Sequence, residues 1–377
     1  LEDRVKLKVI NLVSKQTRLI MPGDVNYSYA DGDQWYQWSP DGKWFLVTYV
    51  PSDRMFVDEV GLVSSDGKGK IHNLTLSGYG DFGPKWTKDG KMMIWGSDRL
   101  GSRAQGDYSV NWDVYGLFFS QEAFDRFNLT KEEFALLKEQ EEEKEKKEKK
   151  SKEDEKSGKK GKKDNNGEEK QDEDKVEEIK IGWKNLTERK RKLTIHTSRA
   201  SDWILSEDGE KLYYLTRFEQ KTDIWETNLR TKETKLFAKI GANRAGMELS
   251  SDGKFIFLMA DGKARKVDIK DGKATPISVN GEMVLKTADE RSYIFDHSWR
   301  QVREKFYVVD LHGVDWDFYY SAYRKFLPYI NNNYDFAEML SEMLGELNAS
   351  HTGCRFRASS PNSDQTAALG LFYDYAY

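Results

Sequence analysis

The first 290 residues repeat one pattern of apolar and polar positions. An apolar residue is followed by two variable positions, Asp-Gly, a charged residue and a strongly apolar run. The copies are W-S-P-D-G-K at Trp38–Lys43, W-T-K-D-G-K at Trp86–Lys91, L-S-E-D-G-E at Leu205–Glu210 and L-S-S-D-G-K at Leu249–Lys254. Asp-Gly between two strands favours a tight hairpin, because Gly readily adopts positive φ and Asp tolerates it. Each copy therefore predicts two antiparallel strands joined by a turn.

The spacing of these copies predicts the blades of a β-propeller. The first two copies and the last two are each separated by roughly 40–50 residues, which is the length of one four-stranded blade. We therefore predict that residues 1–285 form an all-β region, a partial β-propeller with four four-stranded blades. A strand pair around Val5 to Leu19 is expected to be the end of an earlier blade, so that the N-terminal part of the ring would be absent.

The long interval between the second and third copies contains an insert at about 120–181. Its first part carries a capping-box pattern, Thr130 and Glu133, ahead of two apolar residues, and predicts a short helix. Beyond Lys138, mixed Glu and Lys dominate and no apolar residue recurs until Val176. A segment that has no apolar surface to bury stays solvated. We therefore predict that this surface insert is charged and disordered.

From Lys286 the apolar period changes from two residues to about 3.6, which indicates helices. We predict a small helical module at 286–358 with three helices. Their apolar faces are Phe295, Trp299, Val302 and Phe306; Trp316, Tyr320, Tyr323, Leu327 and Ile330; and Phe336, Leu340, Met343 and Leu347. Asp335, with Glu338 three residues later, is expected to cap the third helix. Aromatic and Met residues at helical spacing usually pack inside, so we expect these faces to form the core of the module.

Ser350 and His351 follow the third helix, in the stretch G-E-L-N-A-S-H-T-G at Gly345–Gly353. Two interpretations of this stretch remain open on the residues alone. His near a helix C-terminus is often only a cap, because the helix dipole favours a cation there. Imidazole also titrates near neutral pH and can act as the general base that activates a serine hydroxyl.

Charge and cysteine content exclude several classes of protein. The net charge of −4 gives no electrostatic reason to expect a nucleic acid or an anionic membrane surface as partner. The single cysteine, Cys354, permits neither an internal disulfide nor a cysteine zinc cluster, and no H-E-x-x-H motif is present. No apolar run approaches the roughly 18 residues of a membrane span. We therefore expect no cofactor, metal, nucleic acid or membrane partner.

Three segments resemble tricorn proteases and their bacterial homologues, which belong to the tail-specific-protease clan. They are I-F-D-H-S-W-R-Q-V-R-E-K-F-Y at 294–307, H-G-V-D-W at His312–Trp316 and M-L-G-E-L-N-A-S-H-T at Met343–Thr352. The resemblance is specific around the helical module and generic in the blades. It implies a β-propeller, a first core module, a PDZ-like domain and then a second core module. The linker and first strand of the PDZ-like domain would occupy 359–377.

The resemblance implies a serine peptidase with a Ser-His-Ser-Glu tetrad. His351 would be the general base, and Ser350 would link its imidazole to a distant Glu. The nucleophilic Ser and that Glu would come from the second core module, and no segment after Gly353 can supply them. We therefore expect a truncated fragment that is inactive alone and that, at full length, hydrolyses peptides through an acyl-enzyme. Cys354 paired with His351 is an alternative nucleophile, but it has no acid partner in view.

The resemblance also implies peptide substrates, a cytoplasmic location and assembly into a homo-oligomer. The chain begins Leu1-Glu2-Asp3 without a Met, and a removed signal peptide would make the periplasm the alternative compartment. A second class of function stays open. In that alternative, the chain is a non-catalytic β-propeller that binds proteins or peptides, and the helices are a docking module.

Overall fold

The chain forms two compact units, Leu1–Val279 and Asn280–Tyr377. The computed structural model describes residues 5–26, 34–51, 54, 57–100, 111–157 and 178–358. The sequence prediction placed the division after residue 285, and both positions lie in the irregular stretch 277–286. The predicted linker and PDZ-like start at 359–377 lie outside the described residues.

Four antiparallel sheets of four strands each form a propeller-like arrangement in the first unit. The first sheet contains β3 (Tyr36–Trp38), β4 (Trp44–Tyr49), β5 (Glu59–Ser64) and β6 (His72–Asn73). The second contains β7 (Asp81–Trp86), β8 (Met92–Ser97), β9 (Asp113–Phe118) and β10 (Lys190–Lys192). The third contains β11 (Asp202–Leu205), β12 (Lys211–Thr216), β13 (Thr222–Asn228) and β14 (Thr234–Ala242). The fourth contains β15 (Ala245–Leu249), β16 (Phe255–Ala260), β17 (Lys263–Asp268) and β18 (Ala274–Pro276).

A separate strand pair, β1 (Leu7–Ile10) and β2 (Thr17–Met21), precedes the four sheets. Short 3-10 turns lie at Gly23–Val25 and Leu186–Glu188. Within each sheet the strands pair in sequence order, so every blade is a meander. The predicted fold class, four propeller blades preceded by a strand pair and followed by helices, is confirmed.

Apolar clusters lie between successive sheets and hold them together. Leu46 and Leu62 of the first sheet meet Trp95 and Leu117 of the second, and all four side chains are at most 1% exposed. Similar clusters join the second sheet to the third, the third to the fourth, and the β1–β2 pair to the first. Because both faces of an inner blade are covered, β8 has no exposed residue. This explains why the strand begins with an unbroken apolar run, Met92–Trp95, rather than an alternating pattern.

The four Asp-Gly repeats form one kind of turn, between the first and second strands of each blade. In the third blade the Ser206 hydroxyl donates to Asp208 Oδ1 at 2.6 Å and accepts from the Lys211 N–H at 3.0 Å. Gly209 takes a φ of +71°. The equivalent side-chain pairs are Ser39–Asp41, Thr87–Asp89 and Ser250–Asp252. The repeat thus encodes its own turn, as predicted.

Two helices are inserted in the second blade between β9 and β10. They are α1 (Gln121–Asn128) and α2 (Lys131–Ser157). The predicted capping box is formed: the Thr130 N–H donates to the Glu133 carboxylate at 2.8 Å, and the Glu133 N–H donates to the Thr130 hydroxyl at 3.2 Å. The Arg230 guanidinium lies 3.8 Å from the ring centre of Phe134, which docks the start of α2 on the third blade.

The structure differs from the disorder that was predicted for the insert beyond its short helix. Residues 121–128 and 131–157 are helical, and residues 158–177 lie outside the described part of the chain. Glu and Lys are spaced for pairing four residues apart, as Glu142 and Lys146 are at 3.9 Å, and such pairs support a helix that buries little apolar surface. At the far end of the insert, Ile179 packs against the cluster between the first two blades.

The helical module contains α3 (Thr287–Lys305), α4 (Trp316–Arg324) and α5 (Asn333–Gly345), with 3-10 turns at Leu311–Gly313 and Leu327–Tyr329. Its core collects residues from all three predicted apolar faces. Trp299 and Trp316 each donate the indole N–H to the other's backbone carbonyl at 3.0 Å, which joins α3 to the start of α4.

Two details of the helix predictions are corrected. The second helix does not reach Ile330: α4 ends at Arg324, and Pro328, which has no N–H to donate, lies in the following 3-10 turn. The N-cap of α5 is Asn332 rather than Asp335, because the Asn332 side chain accepts from two N–H groups of the first turn.

Candidate active site

α5 carries the chain to Ser350 and His351. Its predicted apolar face is buried, with Phe336, Leu340 and Met343 at most 6% exposed, and Leu347 beyond the helix end is fully buried. These contacts fix the position of the helix end. The chain then leaves the helix through 346–353, named here the Ser–His turn, in which Ser350 and His351 are both exposed.

The Ser–His turn contains two non-glycine residues with left-handed backbone conformation. Asn348 has a φ of +46° and His351 a φ of +62°. The clash of Cβ with the backbone in this region costs about 1–2 kcal/mol per residue, less for Asn. Such conformations persist only where surrounding contacts determine them, and they cluster at functional sites.

Contacts on both sides hold the Ser–His turn. The Tyr323 hydroxyl of α4 donates to Glu346 Oε1 at 2.8 Å, and the Thr352 hydroxyl donates to the Ala349 carbonyl at 2.9 Å. Burial and the neighbouring Glu346 carboxylate raise the pKa of Tyr323 to about 12, so that its phenol remains a donor. Tyr323 was predicted from the sequence only as a core residue. The hydrogen bond to Glu346 requires the phenol hydroxyl, which Phe would lack. The spacing of the apolar residues does not reveal that Glu346 is the partner.

The side chains of Ser350 and His351 make no hydrogen bond within the described residues. The two residues are adjacent in sequence and exposed to solvent, so that groups from other parts of the protein can reach their side chains. An imidazole that has an open nitrogen can accept a proton from a hydroxyl, provided that a third group orients the ring. His351 and Ser350 are therefore a candidate base and a candidate orienting group. Within 178–358, neither side chain is hydrogen-bonded to a nucleophile or an acid.

Cys354, the alternative nucleophile, lies three residues beyond His351. It is partly buried and packs against the apolar core of the helical module. Among the other histidines, His297 stacks on Tyr293 of α3, and His312 contacts Tyr307 and the Leu347 carbonyl.

The propeller contains a separate feature, a cavity of about 650 Å³ at the end where the Asp-Gly turns lie. The first strand of every blade contributes to its lining, with Gln37, Lys85, Ile204 and Glu248. Lys85 of the wall pairs with Asp202 of the third blade at 2.5 Å, so that its charge is neutralised by the neighbouring blade. Trp35 and Trp86 add apolar surface.

Within the described ranges, no three His, Cys, Asp or Glu side chains are grouped so that they could bind a metal ion. The helices of those same ranges include none with both the length and the apolar content to cross a membrane.

The fold and the Ser–His turn together define a β-propeller protein with a helical module that presents an adjacent Ser and His. Residues 287–345 of that module match the tricorn protease C1 domain. Over 140 residues the chain is 29% identical to tricorn protease homolog 1 of Streptomyces coelicolor, a match that covers 35% of this chain and 13% of that protein. Over 109 residues it is 30% identical to putative tricorn protease homolog 2 of the same organism, covering 27% and 9% respectively.

The fold is also similar to that of a tricorn protease of known structure. A crystal structure of the tricorn protease superposes with a TM-score of 0.61 at 13% identity, covering 93% of this chain and 32% of that one. The chain thus resembles tricorn proteases in its C1-domain segment and in its fold, and it spans only a small part of the length of these relatives.

Proposed function

We propose that this chain contributes the base-bearing half of a serine peptidase active site. His351 is the general base, and Ser350 orients its imidazole. The observation that carries the proposal is the exposed Ser350–His351 pair on a strained turn, directly after the segment that matches the tricorn protease C1 domain.

The chemistry requires two more groups. A serine hydroxyl becomes a nucleophile when imidazole takes its proton, and the resulting alkoxide attacks the peptide carbonyl to form an acyl-enzyme. We propose that the nucleophilic Ser and an acid lie in another part of the full-length protein. The 377-residue chain alone is then inactive.

The propeller has a separate role in this proposal. Peptides are the substrates, and the cavity at the Asp-Gly turns admits extended peptides in preference to folded proteins. Its aromatic walls and paired charges support this role, because they offer apolar contacts and hydrogen bonds without a strong net charge.

Peptide hydrolysis by the full-length protein tests the proposal. His351→Ala is expected to lower kcat by about 10³-fold or more, as loss of the base does in serine peptidases. Ser350→Ala is expected to lower kcat less. His297→Ala is the matched control, since the His297 ring stacks on Tyr293 within α3.

Unchanged hydrolysis by His351→Ala would contradict the proposed base. Hydrolysis by the 377-residue chain alone, lost in His351→Ala, would contradict the split site. If the full-length protein binds peptides and hydrolyses none, the non-catalytic binding module is the better account.

A further inference from the structure

The longest run of positive φ in the described residues begins one residue before the H-G-V-D-W stretch and includes its first two residues. Leu311, His312 and Gly313 have φ values of +53°, +57° and +75°. Only the last is a glycine. Leu311 is buried in the core of the module, and the Asp310 carboxylate accepts the His312 N–H at 3.2 Å. This fixed backbone directs the His312 ring toward the end of α5.

The His312 ring has a partner on each nitrogen. Nδ1 lies 3.3 Å from the Leu347 carbonyl oxygen, and Nε2 lies 2.6 Å from the Tyr307 hydroxyl. A carbonyl only accepts, so Nδ1 carries the proton, and in the neutral ring Nε2 accepts from the Tyr307 O–H. Phe306 meets the ring edge-on at 5.2 Å between centroids, which limits its rotation.

The Leu347 carbonyl lies in the Ser–His turn, two residues past the end of α5 and just before the left-handed Asn348. Carbonyls at a helix C-terminus lack partners within the helix and must find them elsewhere. Leu347 is followed at once by Asn348, where φ becomes positive and the chain turns toward Ser350 and His351. One hydrogen bond therefore connects two strained segments that lie 35 positions apart in sequence.

We propose that His312 is a positioning residue for the Ser–His turn, and that Tyr307 fixes the tautomer with which it acts. By holding the Leu347 carbonyl, His312 sets the direction in which the chain leaves α5 and thereby the direction of the His351 imidazole. The consequence for catalysis rests on the proposed function. The structural consequence does not.

The structural arm measures amide hydrogen exchange in the 377-residue chain. His312→Ala is expected to raise exchange of the amides at 348–352 about fivefold, the effect of one lost hydrogen bond. His312→Asn is expected to stay near wild type, because Asn tolerates positive φ and its amide N–H₂ replaces Nδ1–H. Tyr307→Phe is expected to give a smaller increase, and the control His297→Ala none.

The amides at 336–343 of α5 report whether the module stays folded. If exchange rises there as well in His312→Ala, the comparison of Tyr307→Phe with wild type decides the proposal instead, since Phe keeps the ring packing. Unchanged exchange at 348–352 in both variants would overturn it.

The catalytic arm uses the full-length protein. His312→Ala is expected to lower kcat about tenfold with little change in KM, and His312→Asn to restore most of the loss. A rise in KM at constant kcat, or no rescue by Asn, would overturn the positioning role. If His351→Ala keeps full activity, the proposed function fails, while the exchange measurements still decide whether His312 holds the turn.

Discussion

The Asp-Gly turns of the propeller and the Ser–His turn of the helical module place residues at positive φ in opposite ways. In the propeller a glycine takes this conformation, as Gly209 does at +71°, and the flanking Ser and Asp satisfy each other and the backbone. In the Ser–His turn, Asn348 and His351 take it despite a Cβ atom. The side chains of Ser350 and His351 make no hydrogen bond among the described residues.

The Asp-Gly turns are thus stabilised by their own residues, whereas the Ser–His turn contains backbone strain that lowers stability. A repeated hairpin that satisfies its own polar groups needs no help from distant residues. The Ser–His turn is held from outside, by Tyr323 on Glu346 and by His312 on the Leu347 carbonyl. Strain that is maintained by distant contacts while reactive side chains remain unpaired is the arrangement expected of a functional site.

Adding a Cβ to an Asp-Gly turn gives the largest effect on stability. Gly272 belongs to a further Asp-Gly pair, Asp271-Gly272, between β17 and β18. Gly272→Ala is expected to lower the free energy of unfolding by roughly 2–4 kcal/mol, from positive φ and from overpacking against the Phe237 carbonyl. Gly209→Ala is the matched control. It has the same φ of +71° but no atom within 4 Å of the new Cβ, and about 1 kcal/mol is expected. Urea unfolding of the propeller measures both, and equal losses would contradict the steric argument.

Replacing Ser by Ala in each of the two kinds of turn gives the next largest difference in stability. Ser206→Ala removes a hydroxyl that donates to Asp208 and accepts from the Lys211 N–H, and a loss of about 1 kcal/mol is expected. Ser350→Ala removes an exposed hydroxyl with no partner in the described residues, so that no change in stability is expected. Thermal unfolding of both variants tests this. A destabilised Ser350→Ala would mean that Ser350 is part of the helix cap.

A partly buried lysine makes the stability of the propeller depend on pH. Lys190 of β10 donates to the Thr75 carbonyl at 2.6 Å, and burial, aided by nearby Arg99, lowers its pKa to about 8. Because the ordinary pKa is 10.5, the unfolded chain binds more protons between these values, and stability should rise as pH increases from about 7 to 10. Comparison of unfolding at pH 7 and pH 9.5 measures this rise. Lys190→Met should reduce it, and an identical pH slope in the variant would contradict the assignment.

Much of the propeller could be predicted from sequence, because each blade repeats a local signal. Ser or Thr, two residues before Asp-Gly, determines the turn, and the apolar runs determine the strands. The structure of the insert between β9 and β10 was harder to predict. Its Lys and Glu residues bury little, and the distinction between a solvated coil and a charged helix depends on pairs such as Glu142–Lys146 rather than on apolar spacing.

The Ser–His turn could be predicted from the sequence less completely than the propeller. Ser350 and His351 could be proposed as site residues by resemblance, and the buried face of α5 could be predicted from its period. The residues that hold the turn could not be identified, because His312 and Leu347 meet only through the fold. Positive φ at a non-glycine residue also cannot be recognised in a sequence. A His that caps a helix and a His that acts as a catalytic base have the same sequence pattern.

The variant His351→Gly tests the central claim most directly, because it measures stability and activity at one position. Gly relieves the strain of a φ of +62°, and the removed imidazole has no partner in the described residues. We predict that the helical module keeps its stability or gains up to about 1 kcal/mol, and that the full-length protein loses peptide hydrolysis. A module destabilised by 1 kcal/mol or more, with hydrolysis retained, would show that His351 is a structural cap and would contradict the account.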